Sequence, residues 1–251
     1  MSNSEEKGIG FKRYGPGALC RMDKHILDAI KREDVPGKVI LGICATILVG
    51  TLVYGFIFGL WRSPLQGLYS AIKMPLLFFS TVLASAVINT MLTQVLGARL
   101  SLRQVCASIL LGMAISAAIM GAVSPVILFF VLQIPSPDPS VVGLSFNHPA
   151  VDASKHMYWV LLLTHVSVIG VSGIAGNIRL YHLLKVLTGT RRMALYLMSI
   201  WISVAGFAGC QLSWLLSPFL CKPTQLPHIV PKEYFQENFY ERVWRAIMDL
   251  M

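Results

Sequence analysis

The stretch YWVLLLTHVSVIGVSGIAGNIRLYHLL, residues 158–184, decides the fold of this chain. From Tyr158 to Ile178 it holds 21 residues without Asp, Glu, Lys or Arg, and Arg179 ends the run. At ~1.5 Å per residue, a helix of that length spans the roughly 30 Å of hydrocarbon in a bilayer. The stretch is therefore interpreted as a transmembrane helix.

Four further stretches share this length and apolar character. Charged residues make up only 13% of the chain, whereas soluble domains carry about 25%. The sequence therefore predicts an all-α, polytopic membrane protein with a five-helix transmembrane domain over residues 39–217 and amphipathic helices at the interface. The five predicted spans are residues 39–60, 76–97, 105–132, 158–184 and 194–216.

A basic arm, residues 1–38, precedes the first span. Asp23 can cap a short amphipathic helix that runs to about Glu33, and Pro36 and Gly37 would end it before the membrane. This helix is expected either to lie at the interface or bind a partner, or simply to lead into the first span.

The last segment, residues 218–251, begins with a proline-rich stretch that is predicted to be an extended tether. An amphipathic helix follows from Pro231 to the end of the chain. Its apolar face is too large to leave in water, so the helix is expected to dock on the bundle or on another protein. Phe239, Tyr240 and Trp244 belong to this docking face.

Between the first two predicted spans, apolar residues recur at helical spacing over residues 61–75, with polar residues between them. Trp61 and Tyr69 are the amphipathic residue types that anchor helices at a membrane surface. We interpret this segment as a short interfacial helix, and a re-entrant hairpin is the alternative.

The distribution of basic residues predicts the orientation. With five spans, 14 Lys and Arg residues fall on the side of the N-terminal arm and seven on the other side. The positive-inside rule then places the N-terminus in the cytoplasm and the C-terminus outside. The membrane would be a bacterial inner membrane or a eukaryotic endomembrane.

The net charge of +9 has a membrane explanation as well, because the basic residues cluster at the ends of apolar runs. There they would meet anionic lipid, so the lipid bilayer is the expected partner and nucleic acid is not. The five cysteines show neither a CxxC pair nor metal-ligand spacing. No cofactor is expected.

Three polar residues inside the spans are the candidates for an intramembrane site: Asn89, His165 and Gln211. His165 and Gln211 lie at similar depths in the fourth and fifth spans and are expected to be able to hydrogen-bond. No Asp, Glu, Lys or Arg falls in the middle of a predicted span, which argues against a carboxylate-based pump or an intramembrane aspartic protease. The alternative for the three residues is a purely structural role as interhelical hydrogen bonds.

Small residues recur along several spans and let helix backbones approach closely. Gly55 and Gly59 form a small-xxx-small pair in the first span, a pattern that also allows a homo-oligomer. The stripes on the fourth and fifth spans predict that these two helices are neighbours. The packing residues on those two spans are Gly170, Gly173, Gly176, Ser203, Gly206 and Gly209.

Five spans, a cytoplasmic arm and helices rich in small residues, over roughly residues 39–216, resemble the Yip1-type membrane family. Its eukaryotic members act in membrane trafficking. The D-L-Y-G-P motif of that family is not present, since the chain has G-L-Y-S at Gly67 to Ser70. The resemblance therefore implies an architecture and a class of function, and no site residue is carried over.

Two functions follow as expectations. The first is a non-enzymatic membrane scaffold or adaptor that presents its termini to protein partners. The second is a small transporter or channel that uses the polar groups of the bundle. An enzyme is not expected, because HExxH, GxSxG, P-loop and GxGxxG motifs are absent from the sequence.

Overall fold

The computed structural model describes residues 24–217 and 219–229. Every regular element in these two ranges is helical. Two single 3-10 turns, Pro139–Val141 and Pro149–Val151, lie in the loop before the fourth long helix. The six α-helices of the described residues are α1 (Lys24–Lys31), α2 (Gly37–Gly59), α3 (Pro64–Val95), α4 (Leu102–Gln133), α5 (Asp152–Thr188) and α6 (Arg191–Leu216).

The helices α2 to α6 are long and apolar enough to cross a membrane. This confirms the prediction of an all-α, multi-pass protein with five spans. All five observed helices start before the predicted spans, most of all α3, which begins at Pro64 rather than Leu76, and then α5, which begins at Asp152 rather than Tyr158. The length of an apolar run in the sequence locates a span, but it does not show how far polar turns continue the helix into the interface.

Local sequence signals set the helix starts. Ser63 caps α3, because its hydroxyl accepts a hydrogen bond from the backbone N–H of Gln66 at 3.1 Å. At α4, Ser101 and Gln104 form a reciprocal capping box, with N···O distances of 3.3 and 3.1 Å. Both caps follow the Ser-x-x-Gln pattern.

The predicted interfacial helix over residues 61–75 is wrong as a separate element, and so is the re-entrant hairpin. The segment from Pro64 onwards is the first part of α3, which continues through Pro75 to Val95. Proline removes one backbone donor and usually bends a helix. Here the helix passes through Pro75.

The chain packs as two compact units, each with its own interior. The first unit comprises Met1–Gly50, Val82–Met120 and Gly170–Gly206. In its core, the Nε1–H of Trp201 donates to the Thr93 hydroxyl oxygen at 3.0 Å. The apolar cluster of this core includes Val82, Ala86, Val105, Ile109, Leu180, Leu184, Ala194 and Leu197.

The second unit comprises Thr51–Thr81, Gly121–Ile169 and Phe207–Met251. Its interior is more aromatic than that of the first unit, since Tyr54, Phe58 and Trp61 are fully buried. Trp61 also donates from Nε1 to the carbonyl oxygen of Pro135 at 3.0 Å, which fixes the start of the loop after α4.

Helix α3 shows which side chains of a span are exposed and which are buried. Large apolar side chains such as Leu83 and Met91 are exposed, whereas Ser85 and Asn89 on the same helix are fully buried. Such exposure would be an aggregation hazard in water but is the normal lipid-facing surface of a bilayer helix.

Candidate functional site

A buried polar face on α3 is the main feature of the second unit. Gln66, Ser70 and Lys73 are at most 2% exposed, while the neighbouring Leu68 and Ile72 are 51% and 61% exposed. The polar residues of this segment face inward and the apolar ones outward, because lipid accepts the leucines and the protein interior supplies partners for the polar groups.

The partners of this face come from the segment that follows α6. The hydroxyl of Ser70 donates to the carbonyl oxygen of Phe219 at 2.5 Å, and Nε2 of Gln66 donates to the same oxygen at 3.3 Å. Arg62 donates from Nε and Nη2 to the carbonyl oxygen of Gln225, at 3.3 and 2.8 Å. Three side chains from the α2–α3 end of the bundle thus hold the backbone of residues 219–229.

This segment also packs on the loop between α4 and α5. The backbone N–H of Gly143 donates to the carbonyl oxygen of Thr224 at 2.9 Å. The ammonium group of Lys222 lies 5.4 Å from the centroid of the Phe146 ring, a cation–π contact. We call residues 134–151 together with residues 219–229 the cap. The predicted extended tether is therefore wrong for residues 219–229, which are folded and partly buried.

Lys73 is the charged residue that sequence reasoning missed. It lies inside the candidate span Pro64–Val95 and is 2% exposed. The prediction that no charged residue lies in the middle of a span was made for a span that starts at Leu76, whereas the observed helix starts at Pro64 and includes Lys73. A buried ionisable group in a spanning helix is a hint of function. Its signal was the spacing of Gln66, Ser70 and Lys73, which is that of one helix face.

Cys221 lies in the cap near Lys73 and is fully buried. Burial raises the pKa of its thiol from the ordinary 9.0 to about 11, although the positive charges of Arg62, Lys73 and Lys222 act in the opposite direction. The thiol is therefore neutral at physiological pH and is not an activated nucleophile.

The raised pKa of Cys221 predicts an alkaline loss of stability. The folded pKa exceeds the unfolded one, so the thiolate favours the unfolded chain. Stability should be unaffected by this group below pH 9 and should fall as the pH rises from 9 to about 11, by up to about 2–3 kcal/mol. Thermal unfolding at pH 8 and pH 10.5 measures the effect. Cys221→Ser should reduce the fall, and Cys210→Ser should not; an equal fall in all three proteins would contradict the prediction.

His165 is buried in an aromatic stack of the second unit. Its Nδ1 atom is 3.0 Å from the hydroxyl oxygen of Tyr54, within a hydrogen bond. Its ring lies 4.3 Å from the ring of Phe58, centroid to centroid, at an angle of 20°. Sequence reasoning expected Gln211 as the partner, and Tyr54 takes that place. Gln211 is half-buried on α6 and makes contacts of its own.

Asn89, the third predicted site residue, belongs to the first unit, whereas His165 and Gln211 belong to the second. Its side chain is fully buried. Neither Nδ2 nor Oδ1 has a hydrogen-bond partner among the described residues. A buried amide in that state is costly unless a group outside the described residues satisfies it, which makes Asn89 a feature that requires an explanation.

The packing glycines differ in what surrounds them. A Cβ atom at Gly55 would lie 2.6 Å from the carbonyl oxygen of Ser70, and one at Gly59 would lie 2.7 Å from that of Gln66. Both glycines therefore permit direct backbone contact between α2 and α3. A side chain at Gly176 would meet Gly112 of α4, with 2.6 Å to its carbonyl oxygen.

The predicted glycine contact between the fourth and fifth spans is not what the described residues show. No described atom lies within 4 Å of a Cβ placed on three of these glycines, and Gly209 has only Thr81 of α3 near it, at 3.7 Å. Ser203 is exposed. The three glycines and Ser203 therefore face lipid or parts of the chain that the structure does not describe. The three glycines are Gly170, Gly173 and Gly206.

The predicted docking face of the C-terminal helix, with Phe239, Tyr240 and Trp244, lies outside the described residues. Within residues 24–217 and 219–229, no cluster of His, Cys, Asp and Glu could hold a metal ion. No protein-family model matches the chain, and neither a curated protein nor a solved structure is significantly similar to it. The chain's own residues are therefore the basis for assigning its function.

Proposed function

We propose that this chain is a non-enzymatic integral membrane scaffold or adaptor of the Yip1-like type, whose helical bundle presents the N-terminal arm and the C-terminal tail to protein partners. The observation that carries the proposal is the anchoring of residues 219–229, from which the tail departs, by Arg62, Gln66 and Ser70. A segment held by several interior hydrogen bonds gives the tail a fixed point of departure.

The interior contacts support the same function. Tyr54 and His165 bond to each other, Trp201 bonds to Thr93, and the Ser116 hydroxyl donates to the carbonyl oxygen of Ser172 at 3.0 Å. Each of these bonds joins two helices within the same unit. Polar groups used in this way stabilise a bundle and need no bound substrate.

A small transporter or channel is the second candidate function. Lys73 and Asn89 favour it, because a buried ammonium group and a buried amide within spanning helices are what a polar solute or an ion would meet. The two functions differ in what they require: the scaffold requires the termini, and the transporter requires the polar groups of the bundle.

Affinity purification of the tagged full chain in mild detergent, followed by mass spectrometry, tests the proposal. Removal of residues 230–251 or of residues 2–23 should lose co-purifying proteins, whereas Lys73→Gln should retain them. Recovery of the same proteins with both truncated chains would contradict the scaffold. Solute flux into liposomes that is lost in Lys73→Gln would support the transporter.

The proposed orientation, with the N-terminus cytoplasmic, predicts the labelling of two engineered cysteines. Ser145, in the loop between α4 and α5, and Thr190, between α5 and α6, are both exposed. In a cysteine-free background, an impermeant thiol reagent applied to the non-cytoplasmic side should label Ser145→Cys and leave Thr190→Cys unlabelled. Labelling of both from one side would overturn the span count, and the reverse result would overturn the orientation.

A further inference from the structure

A cavity of about 330 Å³ lies in the first unit. The end of α1, the turn after it, and the first turns of α2 and α4 surround it. Its volume lies within the range of about 300–1,000 Å³ that is usual for small-molecule sites. Its lining includes Glu33, Ile40, Ile43, Arg103, Cys106 and Leu110.

The cavity has a charged end and an apolar end. Glu33 follows α1, and Arg103 is the second residue of α4, so both lie at helix ends and both are exposed. Ile43 and Leu110 lie further along α2 and α4. Leu110 is about 12 Å along α4 from its first residue, at ~1.5 Å per residue. The cavity therefore runs from the edge of the predicted membrane region toward its apolar interior.

The polar rim is built by specific contacts. Gln104 is buried, and its Nε2 donates to the carbonyl oxygen of Lys31 at 3.1 Å, which ties the end of α1 to the start of α4. Glu33 has a positive φ of 61°, a conformation that is uncommon for a residue other than glycine. Ile30, which also lines the cavity, is buried. These contacts hold the end of α1, which Glu33 follows, against the start of α4, where Arg103 lies.

The two rim charges have opposite signs and are not paired with other described residues. No ion pair joins Glu33 or Arg103 to another side chain in the described part of the chain. A carboxylate in the lining of the same cavity as the guanidinium disfavours a purely anionic ligand through like-charge repulsion. It is complementary to a ligand head that carries both an anion and a cation, and the guanidinium suits a phosphate in particular.

We propose that this cavity binds one zwitterionic glycerophospholipid. Arg103 contacts the phosphate, Glu33 contacts the ammonium group, and part of an acyl chain packs against Ile43 and Leu110. The charge pattern selects the head group, and the apolar depth accepts the chain. The site would tie the amphipathic α1 to the membrane surface through a lipid rather than through a protein partner.

A lipid titration tests this site. The purified, delipidated full chain in a maltoside detergent is titrated with dioleoyl phosphatidylethanolamine or with dioleoyl phosphatidylglycerol, and the melting temperature is recorded. We expect phosphatidylethanolamine to raise the melting temperature more than phosphatidylglycerol does. Arg103→Ala and Glu33→Gln should each weaken its apparent affinity about tenfold, the size expected for losing one charge-assisted contact.

Matched controls lie close to the site. Arg99→Ala and Asp34→Asn change exposed charges that do not line the cavity, so they should leave the affinity unchanged. Leu110→Trp should fill the apolar end and abolish the stabilisation. Equal stabilisation by the two lipids, or equal affinity in the rim and control variants, would overturn the proposal. Stabilisation that appears only after removal of residues 2–23 would also overturn it and assign the cavity to the N-terminal arm.

Discussion

The double substitution of Gly55 and Gly59 by alanine is expected to prevent stable folding of the α2–α3 pair. Each new methyl group would lie within 2.6–2.7 Å of a backbone carbonyl oxygen of α3. A backbone atom, unlike the end of a flexible side chain, cannot move aside. Overpacking of an interior typically costs about 1–3 kcal/mol per site, so two sites should exceed about 3 kcal/mol. Fluorescence-detected size-exclusion chromatography after heating measures the loss.

The matched control is the double substitution of Gly170 and Gly173 by alanine. Both sites are helical, and no described atom lies within 4 Å of the added methyl groups. This variant should melt within a few degrees of the unmodified chain. If both double variants melt alike, the glycine contacts between α2 and α3 are not what holds that pair together.

Arg62→Ala is expected to release the C-terminal part of the cap and expose it to protease. The guanidinium donates two hydrogen bonds to the carbonyl oxygen of Gln225, and a bond to a charged group contributes about 1.5–3 kcal/mol. Loss of that energy should raise the open population, and thus chymotrypsin cleavage after the buried Phe219, by at least about tenfold. Limited proteolysis followed by mass spectrometry locates the cut.

Two variants control for this effect. Arg62→Lys keeps the charge but not the two-donor geometry, so its cleavage rate should fall between those of the unmodified chain and of Arg62→Ala. Arg192→Ala removes an exposed arginine of the first unit and should change nothing at Phe219. Cleavage after Phe219 that is equally fast in the unmodified chain would show that the cap is open without any substitution.

The five spans were predictable because each depends on a local property, the length of an uninterrupted apolar run. The short helix α1 was predictable from a different local property, since Ile26 and Ile30 recur at helical spacing and are both buried. The prediction of a separate interfacial helix over residues 61–75 was wrong because it rested on the lower apolar character of this segment, and a drop in apolar character does not by itself end a helix. Helix α3 continues through Pro75.

The site was less predictable than the fold, because its contacts join distant parts of the chain. Tyr54 and His165 are separated by 111 residues, and Ser70 and Phe219 by 149. A sequence shows that His165 is polar and lies in a span, but it does not show which ring will stack on it. Lys73 could have been found, since it shares one helix face with Gln66 and Ser70.

The direction of the polar face could not be predicted from spacing alone. Leu68 and Ile72 alternate with Ser70 and Lys73, and either set could face inward. Amphipathicity in a soluble protein would bury the leucines, whereas a bilayer helix that lines a polar interior does the opposite. The hydrogen-bond partners that decide between the two are backbone carbonyl oxygens of residues 219–229. These residues follow the last span and are far from α3 in the sequence.

The central claim is that the polar residues inside the spans serve packing and do not line an aqueous path. Cysteines at positions 89 and 165 in a cysteine-free chain, reconstituted in nanodiscs with both faces accessible, test it most directly. A charged methanethiosulfonate reagent reacts with a thiol only where water reaches it. We expect no modification of Asn89→Cys or His165→Cys until the protein is denatured, while the exposed control Ser145→Cys reacts at once. Modification of either buried cysteine in the folded protein, at a rate near that of the control, would contradict the packed scaffold and favour a transporter.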